Sequence, residues 1–392
     1  MRILLTGGGT GGHTIPIVAV VQELRRRRKD LKLFWLGDDH PEERAARENN
    51  IPFQKIACGK FRRYFSFWNL IDFFKIPAGI FQSFFLVLGF KPRVVFSKGG
   101  YVSLPVVIAA WLARKKIIVH ESDAVPGLAN RIASRLASKV LLGFNAHSAE
   151  TLSVKSLPGK YIFTGNPVRR KILKGDPVKA REFFHLSKDK PTILAMGGSQ
   201  GARFINELIS RSLPKLSEYQ IIHLTGVNTA SAIARPFRLE ESPELVEGRR
   251  SPPASPEAKR WRAGNLISTE NHYRFCSYLD VAKMALAYVA CDLVISRAGA
   301  NTLAEIAARG LPSILIPLPS AASDHQFANA KIFEKRGASI VLEQKDLTSR
   351  KLVSLITSLL KNPNQLETMS KKAKSLAKFD AARKIASEIL KK

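Results

Sequence analysis

Two glycine-rich turns, each lying between a short apolar strand and a helix, constrain the fold of this chain more than any other feature. Arg2–Thr6 is predicted as a strand, and the turn TGGGTGGH and a helix-like segment, Thr14–Arg28, follow it. The same order recurs at Thr192–Met196, where the turn GGSQGA leads into the predicted helix Arg203–Leu213. A strand, a glycine turn and a helix in succession begin a doubly wound parallel sheet. The repeat therefore predicts an α/β protein with two Rossmann-like domains.

The boundary between the two predicted domains lies near Asn166-Pro167, where a predicted strand ends and the charge-rich stretch Arg169–Lys190 begins. The prediction is an N-terminal domain of residues 1–166, a C-terminal domain of residues 167–376, and a last helix, 377–392, that crosses back to the first domain. Within the second domain, residues 236–259 are rich in proline and poor in large apolar side chains. This composition predicts a disordered insertion.

The charge of the chain indicates polyanionic partners. Lys and Arg total 62 against 32 for Asp and Glu, which gives a net charge of +30. No recognisable nucleic-acid-binding motif is present, so an anionic membrane surface is favoured and nucleic acid is not expected. A generally basic cytoplasm is the alternative explanation.

The cysteines and the start of the chain indicate an intracellular protein. Cys58, Cys276 and Cys291 share no CxxC spacing, so neither disulfides nor structural zinc are expected. The chain opens on a predicted strand rather than a signal peptide. We therefore expect a location at the cytoplasmic face of the cell membrane, as a peripheral protein.

One segment, Phe61–Arg93, is unusually apolar and aromatic, with the sequence FRRYFSFWNLIDFFKIPAGIFQSFFLVLGFKPR. Its longest uncharged part, Ile76–Phe90, has 15 residues, which is too short to span a bilayer. Basic residues flank the segment. The pattern predicts a helical hairpin that packs partly on the sheet and partly in the lipid interface. A helix that only packs in the core is the alternative.

Polar loops follow three predicted strands of the first domain. The turn TGGGTGGH ends in His13, KGGYVSLP follows Val94–Ser97, and HESDAVPGLANR follows Ile117–His120. Because the carboxyl ends of parallel strands meet at one edge of a sheet, these loops are expected to form a ligand site. His13 is a candidate for binding a diphosphate or taking up a proton. His120, Glu121, Asp123 and Asn130 are candidates for hydroxyl contacts or base chemistry, against the alternative that each is structural.

The second domain contains a matching unit, DLVISRAGANTLAEIA. Asp292–Ser296 is predicted as a buried strand and Ala300–Ala308 as a helix, with Gly299 at the turn between them. The unpaired N–H groups at the start of such a helix favour an anion. Arg297 is a candidate for a phosphate contact, and Glu305 for hydrogen bonds to a ribose diol. An ordinary strand–helix unit is the alternative.

The glycine turns alone do not decide the class of ligand. Gly7, Gly9 and Gly12 fit the pattern GxGxxG, and Asp38 follows the second predicted strand, so a nicotinamide-dependent oxidoreductase is one reading. His13 at the end of the turn is unusual for that class. In the second domain, GGSQGA is a second predicted anion-binding turn, with the Ser199 hydroxyl as an added donor.

Taken in order, the loops GGGTGGH, GGYVSLP, HESDAVPGLANR, TGNPVR, GGSQGA, SRAGANTLAE and DHQFANA closely resemble those of the MurG family of glycosyltransferases. The resemblance runs from Met1 to about Leu376, excepting Val227–Glu270. It implies the GT-B architecture, in which two Rossmann-like domains face each other across a cleft. It also implies inverting transfer of N-acetylglucosamine from UDP-N-acetylglucosamine to the C4 hydroxyl of undecaprenyl-diphospho-N-acetylmuramoyl-pentapeptide, a step of peptidoglycan synthesis that serves cell shape and division. No cofactor and no metal are expected, and cell-wall synthesis and division proteins are implied as partners.

Three other functions stay open at this point. The chain could be a UDP-sugar transferase that acts on another membrane lipid such as diacylglycerol, or a UDP-sugar epimerase. It could also be a membrane-docked nucleotide-binding subunit without activity. The HESDAVPGLANR loop argues against the first two, and the presence of Ser199, Glu305 and Gln326 argues against the third.

The resemblance assigns roles to individual residues by motif. Thr10, Gly11 and Gly12 match the loop that approaches the donor and the acceptor diphosphate, and His13 matches the functional histidine beside it. Arg169 and Ser199 match positions that contact donor phosphates, and Gln326 matches a glutamine that contacts the sugar. The nucleotide-holding helix start is matched by Ala300, Asn301, Thr302, Leu303, Ala304 and Glu305, with Glu305 on the ribose. Leu279 falls near the backbone position that meets uracil, and Arg297 matches an arginine of the motif.

One position departs from the family pattern. Where the family usually has HEQN, this chain has His120-Glu121-Ser122-Asp123, so an acid replaces an amide. Asp123 keeps the hydrogen-bond acceptor of that amide but not its donor. For the general base, His13 is the first choice, with Glu121 and Asp123 behind it.

Overall fold

The chain forms two compact units, each built on a parallel β-sheet. The computed structural model describes residues 1–9, 11–38, 40–59, 68–144, 159–198, 201–226, 268–270 and 272–391. The first unit comprises Met1–Arg169, Ser320–Asn329 and Lys378–Lys392, and the second comprises Arg170–Pro319 and Ala330–Ala377. The predicted insertion at 236–259 lies outside the described residues.

The sheet of the first unit has seven strands in the order β3-β2-β1-β4-β5-β6-β7, and all neighbouring strands are parallel. The strands are β1 (Arg2–Thr6), β2 (Lys32–Gly37), β3 (Phe53–Lys55), β4 (Val94–Ser97), β5 (Lys116–Glu121), β6 (Lys139–Leu142) and β7 (Tyr161–Phe163). The helices are α1 (Gly11–Arg27), α2 (His40–Glu48), α3 (Trp68–Phe90), α4 (Ser103–Leu112) and α5 (Leu128–Leu136). Because the strand order reverses between β1 and β4, the loops after these strands diverge and leave space for a ligand.

Alternating side chains of the central strand fill two hydrophobic cores, one on each face of this sheet. Ile3 and Leu5 pack with α1, whereas Leu4 packs with α4. A strand buried on both faces must be apolar throughout, and β1 is buried from Ile3 to Thr6. Because both faces are buried, the central strand of the sheet can be recognised in the sequence as a continuous apolar run.

The last helix, α13 (Ala381–Leu390), belongs to the first unit. Ile385, Ala386 and Ile389 are fully buried in the core beneath α1. Lys139 at the start of β6 donates a hydrogen bond of 2.6 Å to Glu388 of the helix. The chain therefore returns to its first sheet before it ends.

The apolar segment forms one helix rather than a hairpin over its described part. Helix α3 runs without interruption from Trp68 to Phe90 and includes Pro77. Gly79 lies so close to the backbone oxygen of Ala57 that a Cβ would come within 1.9 Å of it. The small residues after Pro77 thus permit close packing instead of a turn, and the predicted hairpin is wrong for Trp68–Phe90. Residues 61–67 lie outside the described part of the chain.

The second sheet has the order β10-β11-β9-β8-β12-β13-β14, with all pairs parallel except β10 with β11. Its strands are β8 (Thr192–Met196), β9 (Gln220–Leu224), β10 (Ser268–Glu270), β11 (Tyr273–Cys276), β12 (Leu293–Ser296), β13 (Ser313–Leu315) and β14 (Ser339–Val341). The helices that follow the first unit in sequence are α6 (Pro177–Phe184), α7 (Arg203–Ser212), α8 (Val281–Ala290), α9 (Ala300–Arg309), α10 (His325–Lys335), α11 (Ser349–Leu360) and α12 (Pro363–Leu376). Two doubly wound units are therefore present, as the repeat predicted.

One short segment is assigned differently by the sequence and by the structure. Ser320–Asn329 was placed with the second domain, whereas in the structure it packs with the first unit. At the end of this segment, Asn329 donates a hydrogen bond to Asp123 and accepts one from the backbone nitrogen of Ala124, both in the first unit. The beginning of α10 thus contributes to the first unit.

The docking of α13 gives a stability prediction. Replacing the fully buried Ile385 by alanine leaves a cavity, so we expect it to destabilise the first unit by about 2–5 kcal/mol. Denaturant-dependent hydrogen exchange of the β1 and α1 amides measures this loss. Lys384→Ala is the matched control on the same helix, because its exposed ion pair with Asp380 contributes at most about 1 kcal/mol. Equal protection in Ile385→Ala and Lys384→Ala would contradict the packing role.

Candidate active site

The carboxyl ends of β1, β4 and β5 are neighbours in the first sheet and carry the three predicted loops. The backbone nitrogen of Lys98 donates to the oxygen of Thr6, and that of Gly8 donates to the oxygen of Gly99, so the first two loops are joined directly. Gly99 has a φ of +92°, and a Cβ there would lie 2.2 Å from the Asn130 side chain. Only glycine permits this approach. The loops therefore form one compact edge, as expected.

An acidic side chain that the sequence did not single out anchors the first glycine loop. Glu42 of α2 is almost completely buried and accepts a hydrogen bond from the backbone nitrogen of Gly9. Beside it, the hydroxyl of Tyr101 donates to Asp38 at 3.1 Å. Burial and the neighbouring Asp38 raise the pKa of Tyr101, so this hydroxyl stays protonated and remains a donor. These contacts join residues that are more than thirty positions apart, which no local sequence pattern indicates.

Glu121 is held at the end of β5 with both carboxylate oxygens engaged. Oε1 accepts from the backbone nitrogen of Asp123 at 2.8 Å, and Oε2 accepts from Nδ2 of Asn130 at 2.7 Å. Burial and, next, the nearby Asp123 raise the pKa of Glu121. With both oxygens hydrogen-bonded and 3% exposure, Glu121 shapes the loop, and its role as a base stays a prediction.

Asp123 is partly exposed and is oriented by a second side chain. Nδ2 of Asn329 donates to Oδ1 of Asp123 at 2.9 Å, and Oδ1 of Asn329 accepts from the backbone nitrogen of Ala124 at 2.8 Å. Asn329 is fully buried. The two bonds fix both its amide orientation and the position of the Asp123 carboxylate. The structure therefore brings Glu121 and Asp123 together, and adds Asn329, which sequence reasoning missed.

His13 lies near the start of α1, in the same group of ionisable residues. Burial, and after it the positive charge of Lys98, lowers the pKa of His13 to about 4, although Asp123 opposes the shift. Burial also lowers the pKa of His120, whose Nε2 lies 3.1 Å from the backbone oxygen of Gly165. Both imidazoles are therefore neutral near pH 7. A neutral His13 can accept or donate a hydrogen bond, but it is a weak proton acceptor.

Gly11 and Gly12, at the end of the first glycine loop, form the first turn of α1. Gln326 is partly buried at the beginning of α10 in the first unit, and Arg169 is partly buried at the end of that unit. Thr10 and Ser199 lie outside the described residues. The substrate roles assigned to these positions remain predictions.

In the second unit, Glu305 is positioned by a tyrosine. Oε2 of Glu305, on the second turn of α9, accepts a hydrogen bond of 3.1 Å from the hydroxyl of Tyr288 on α8. Glu305 is 7% exposed and Tyr288 is 1% exposed. The sequence predicted Glu305 as a functional residue, and Tyr288 is an addition from the structure.

The start of α9 follows β12 directly, with Gly299 as its N-cap and no capping side chain. The first helical residues thus place backbone N–H groups and the positive end of the helix dipole at the carboxyl edge of the sheet. Ala300 and Leu303 are buried, whereas Asn301, Thr302 and Ala304 are partly exposed. This geometry suits an anionic ligand.

Arg297 and Leu279 have structural contacts that the sequence did not indicate. The Arg297 guanidinium donates to the backbone oxygens of Ile316 and Pro317 and to Oε1 of Gln344, at 2.9–3.1 Å. Burial lowers the pKa of Arg297 to about 10, so it stays charged at neutral pH. Leu279 is buried just before the N-cap of α8, Asp280. Arg297, which follows β12, is therefore hydrogen-bonded to residues that follow β13 and β14. Its predicted contact with a ligand is a separate question.

A further polar network supports the ligand edge of the second sheet. His223 is fully buried, with Nδ1 2.7 Å from the Tyr273 hydroxyl and Nε2 3.0 Å from Oδ1 of Asn206. Nδ2 of Asn206 donates to the backbone oxygen of Thr225, directly after β9. These bonds fix α7 against the end of β9.

Comparison with known proteins identifies the class first. The model of the glycosyltransferase family 28 N-terminal domain matches residues 3–142, and that of the family 28 C-terminal domain matches residues 257–386. A UDP-N-acetylglucosamine 2-epimerase from Neisseria meningitidis shares the fold, with a TM-score of 0.67 at 15% identity over the whole length of both chains. Fold and family models together define a glycosyltransferase of the GT-B class.

The full-length relatives narrow the class to one family. A Bacillus cereus protein named "UDP-N-acetylglucosamine--N-acetylmuramyl-(pentapeptide) pyrophosphoryl-undecaprenol N-acetylglucosamine transferase 2" is 37% identical over 375 residues, which cover 95% of each chain. A transferase of the same kind from Clostridium kluyveri is 36% identical and covers 100% of this chain and 99% of its own. The crystal structure of Acinetobacter baumannii MurG matches with a TM-score of 0.71 and 27% identity over 99% of both chains. The chain belongs to the MurG family, which confirms the resemblance of its loops.

The low pKa of His13 leads to a prediction about its titration. In the folded protein the imidazole is expected to stay neutral until about pH 4, whereas in the unfolded chain it titrates near its ordinary value of 6.5. Because the folded pKa is the lower one, the unfolded state binds more protons between these values, and stability is lost as pH falls through this window. NMR of the His13 ring resonances, assigned through His13→Gln, measures the midpoint. A midpoint at or above 6.5 would contradict the partly buried, cation-flanked environment.

Proposed function

We propose that this protein transfers N-acetylglucosamine from UDP-N-acetylglucosamine to the C4 hydroxyl of undecaprenyl-diphospho-N-acetylmuramoyl-pentapeptide, with inversion at the anomeric carbon. This reaction converts lipid I to lipid II in peptidoglycan synthesis. Support comes from relatives named as such transferases, which match over 95% or more of the chain. The chain is thus proposed to act as a UDP-N-acetylglucosamine-dependent hexosyltransferase.

The observation that carries the donor half of the proposal is the placement of Glu305. Its carboxylate is fixed by Tyr288 on the second turn of a helix whose N-terminus lies at the edge of the sheet. A carboxylate accepts hydrogen bonds from both hydroxyls of a ribose diol, and the helix N-terminus binds the diphosphate of the same nucleotide. We assign the remaining donor contacts to Ser199, Leu279, Arg297 and Gln326, following the family motifs.

The transfer step requires stabilisation of the departing diphosphate. As the acceptor oxygen attacks the anomeric carbon, its proton passes to the general base, for which we favour His13 with Glu121 and Asp123 behind it. The bond from that carbon to the β-phosphate oxygen breaks, and negative charge grows on UDP. The backbone N–H groups at the start of α9 and the Arg169 guanidinium are the groups we assign to this charge. Preorganised dipoles of this kind act in the transition state without having to reorient.

The first unit is proposed to bind the acceptor. The start of α1, at Gly11 and Gly12, offers backbone N–H groups and a helix dipole to the lipid diphosphate, together with Thr10 of the same loop. A neutral His13 can hydrogen-bond either the diphosphate or the attacking hydroxyl. Asp123 presents a fixed carboxylate at the same edge. These assignments give the acceptor to the first unit and most of the donor contacts to the second.

A competition assay tests reaction, donor and acceptor together. With a short-chain lipid-diphosphate muramoyl-pentapeptide, the enzyme is expected to transfer N-acetylglucosamine in preference to N-acetylgalactosamine when both UDP-sugars are offered. Glu305→Gln should weaken donor binding about 10- to 100-fold, because a hydrogen bond to a charged group is lost. Mass spectrometry of the product and calorimetry with UDP measure these effects.

The control and the alternative belong to the same assay. Glu207→Gln changes an exposed glutamate of α7 and should leave donor binding unchanged, since only its surface ion pair with Arg203 is lost. Diacylglycerol is offered as a second acceptor, since another lipid-directed UDP-sugar transferase is the competing function. Transfer to diacylglycerol, with none to the muramoyl lipid, would overturn the proposed reaction.

We also propose that the protein docks peripherally on the cytoplasmic face of the cell membrane through the C-terminal halves of α3 and α4. Among the described helices, none is long and apolar enough to cross a bilayer. On α3, Phe81 is 66% exposed and Phe85 is 56% exposed, and the two rings pack edge to face. Trp111 and Leu112 at the end of α4 are also exposed. Apolar side chains next to exposed basic residues such as Lys91, Arg93 and Arg114 suit an anionic lipid surface.

Vesicle binding tests the docking surface. The double variant Phe81→Ser/Phe85→Ser is expected to lose most of its binding to vesicles that contain anionic lipid, because it removes two exposed aromatic side chains of α3. Co-sedimentation measures the bound fraction. Phe379→Ser is the matched control, since Phe379 is 60% exposed and precedes α13 instead of lying on these helices. Unchanged binding of the double variant, or an equal loss in Phe379→Ser, would place the membrane contact elsewhere.

A further inference from the structure

A buried carboxylate from outside the predicted loops holds the first glycine loop. Glu42 lies on the first turn of α2, which follows β2, and it is 1% exposed. Its Oε1 accepts a hydrogen bond from the backbone nitrogen of Gly9, 33 positions away in the chain. A hydrogen bond from an N–H group to a carboxylate is about twice as strong as one between neutral groups. The loop is thus attached to a helix that carries none of the predicted ligand residues.

The backbone of the loop is shaped to receive this carboxylate. A Cβ on Gly8 would lie 2.7 Å from Cγ of Glu42 and would overlap its carboxyl group. Gly9 has a φ of +89°, and a Cβ there would lie 2.6 Å from Cε1 of Tyr101. The loop therefore packs against Glu42 at Gly8 and against Tyr101 at Gly9 only because both positions are glycine.

A second contact joins the loop to the same connection between β2 and α2. The Tyr101 hydroxyl donates a hydrogen bond of 3.1 Å to Oδ2 of Asp38, which directly follows β2. Asp38 therefore fixes the ring that packs on Gly9, while Glu42 binds the Gly9 nitrogen itself. Both acidic side chains act on one turn of the glycine loop.

The position of Gly9 determines where α1 begins. Only Thr10 separates Gly9 from Gly11, the first residue of α1. The first N–H groups of an α-helix have no partner within the helix, and the helix dipole favours an anion at this end. Gly12 is exposed there, and His13 follows it. A shift of Gly9 would therefore move the groups that are assigned to the acceptor diphosphate.

We propose that Glu42 is a positioning residue for the lipid acceptor: by binding the N–H group of Gly9, its carboxylate holds the start of α1 where Gly11 and Gly12 contact the acceptor diphosphate. Glu42 itself touches no substrate. The inference rests on the proposed function, which assigns this helix start to the acceptor. It adds to that function a residue of α2 on which recognition of the acceptor depends.

Kinetics of Glu42→Ala with a short-chain lipid-diphosphate muramoyl-pentapeptide test the proposal. We expect kcat/KM for this acceptor to fall about 10- to 100-fold, mainly through a higher KM, because a misplacement of about 1 Å can cost about 100-fold. The KM for UDP-N-acetylglucosamine and the affinity for UDP should stay as in the wild type, since most donor contacts are assigned to the second unit. Partial unfolding would instead lower the amount of active enzyme and change neither KM.

Three further variants separate the hydrogen bond from other effects of the change. Glu42→Gln keeps an oxygen that can accept from Gly9, so it should retain a lower acceptor KM than Glu42→Ala. Glu42→Asp keeps the charge but is one methylene shorter, so it should resemble the alanine variant, and it takes its place if that variant does not fold. Glu43→Ala on the same helix is the matched control. It removes only a partly exposed ion pair with Arg47 and should change neither KM.

Hydrogen exchange of the Gly9 amide provides a test without any substrate. In the wild type this amide is bound to a buried carboxylate, so it should exchange slowly, and Glu42→Ala should make it exchange faster. The amides of Leu4 and Leu5 in β1 should keep their protection, which shows that the sheet is intact. Equal Gly9 exchange in the wild type and in Glu42→Ala would overturn the inference.

The kinetic outcomes distinguish this inference from the proposed function. If the wild type transfers the sugar and Glu42→Ala has the same acceptor KM, or a raised KM for UDP-N-acetylglucosamine alone, only the inference fails. An equal rise of the acceptor KM in Glu43→Ala would also overturn it, because α2 as a whole would then be responsible. No transfer to the muramoyl lipid by the wild type would overturn the proposed function, and with it the acceptor named here.

Discussion

Parallel pairing of the strands is the constraint on which the rest of this structure depends. Each sheet places the carboxyl ends of its parallel strands at a single edge, and the strand order reverses beside β1 and beside β8. Side chains that are distant in sequence, such as His13, Lys98 and Asp123, therefore meet at one place. The helices that start at this edge add backbone N–H groups and dipoles of the same sign. The site of each unit thus follows from the way its sheet is connected.

Charges at these edges are buried, so they must compensate each other. In the first unit, the Lys98 ammonium lies among Glu121, Asp123 and two neutral histidines. In water such charges interact weakly, but burial strengthens their interactions and makes an uncompensated charge costly. Removing one member therefore affects the state of the others. The raised pKa of Glu121 is an example: burial causes most of the shift, and the nearby Asp123 adds to it.

The sequence predicted those parts of the fold that are encoded locally. Strands such as Arg2–Thr6 and Thr192–Met196 were recognisable because both faces of a parallel sheet are buried. The strand Phe53–Lys55, which has only three residues and none of them buried, was missed, as was Lys139–Leu142. Loop residues such as Glu121, Asp123 and Glu305 were found from their place after a strand or early in a helix. Lys98, Glu42, Asn329 and Tyr288 were not found, since each acts on a residue far away in the chain. Their roles exist only once the sheet has formed.

In both units, a side chain on a helix orients a carboxylate of the candidate site through a hydrogen bond. In the first, Asn329 of one helix donates to Asp123 on a strand-end loop, and in the second, Tyr288 of one helix donates to Glu305 of the next. A carboxylate on a long or mobile side chain loses conformational entropy when it binds a hydroxyl. A buried donor that already fixes one oxygen removes that cost in advance and leaves the carboxylate oriented. In both units the donor lies on a different element from the carboxylate that it orients. The geometry of each site therefore depends on how whole helices pack. For this reason, residues such as Asn329 and Tyr288, for which no ligand contact is expected, set the position of the carboxylates.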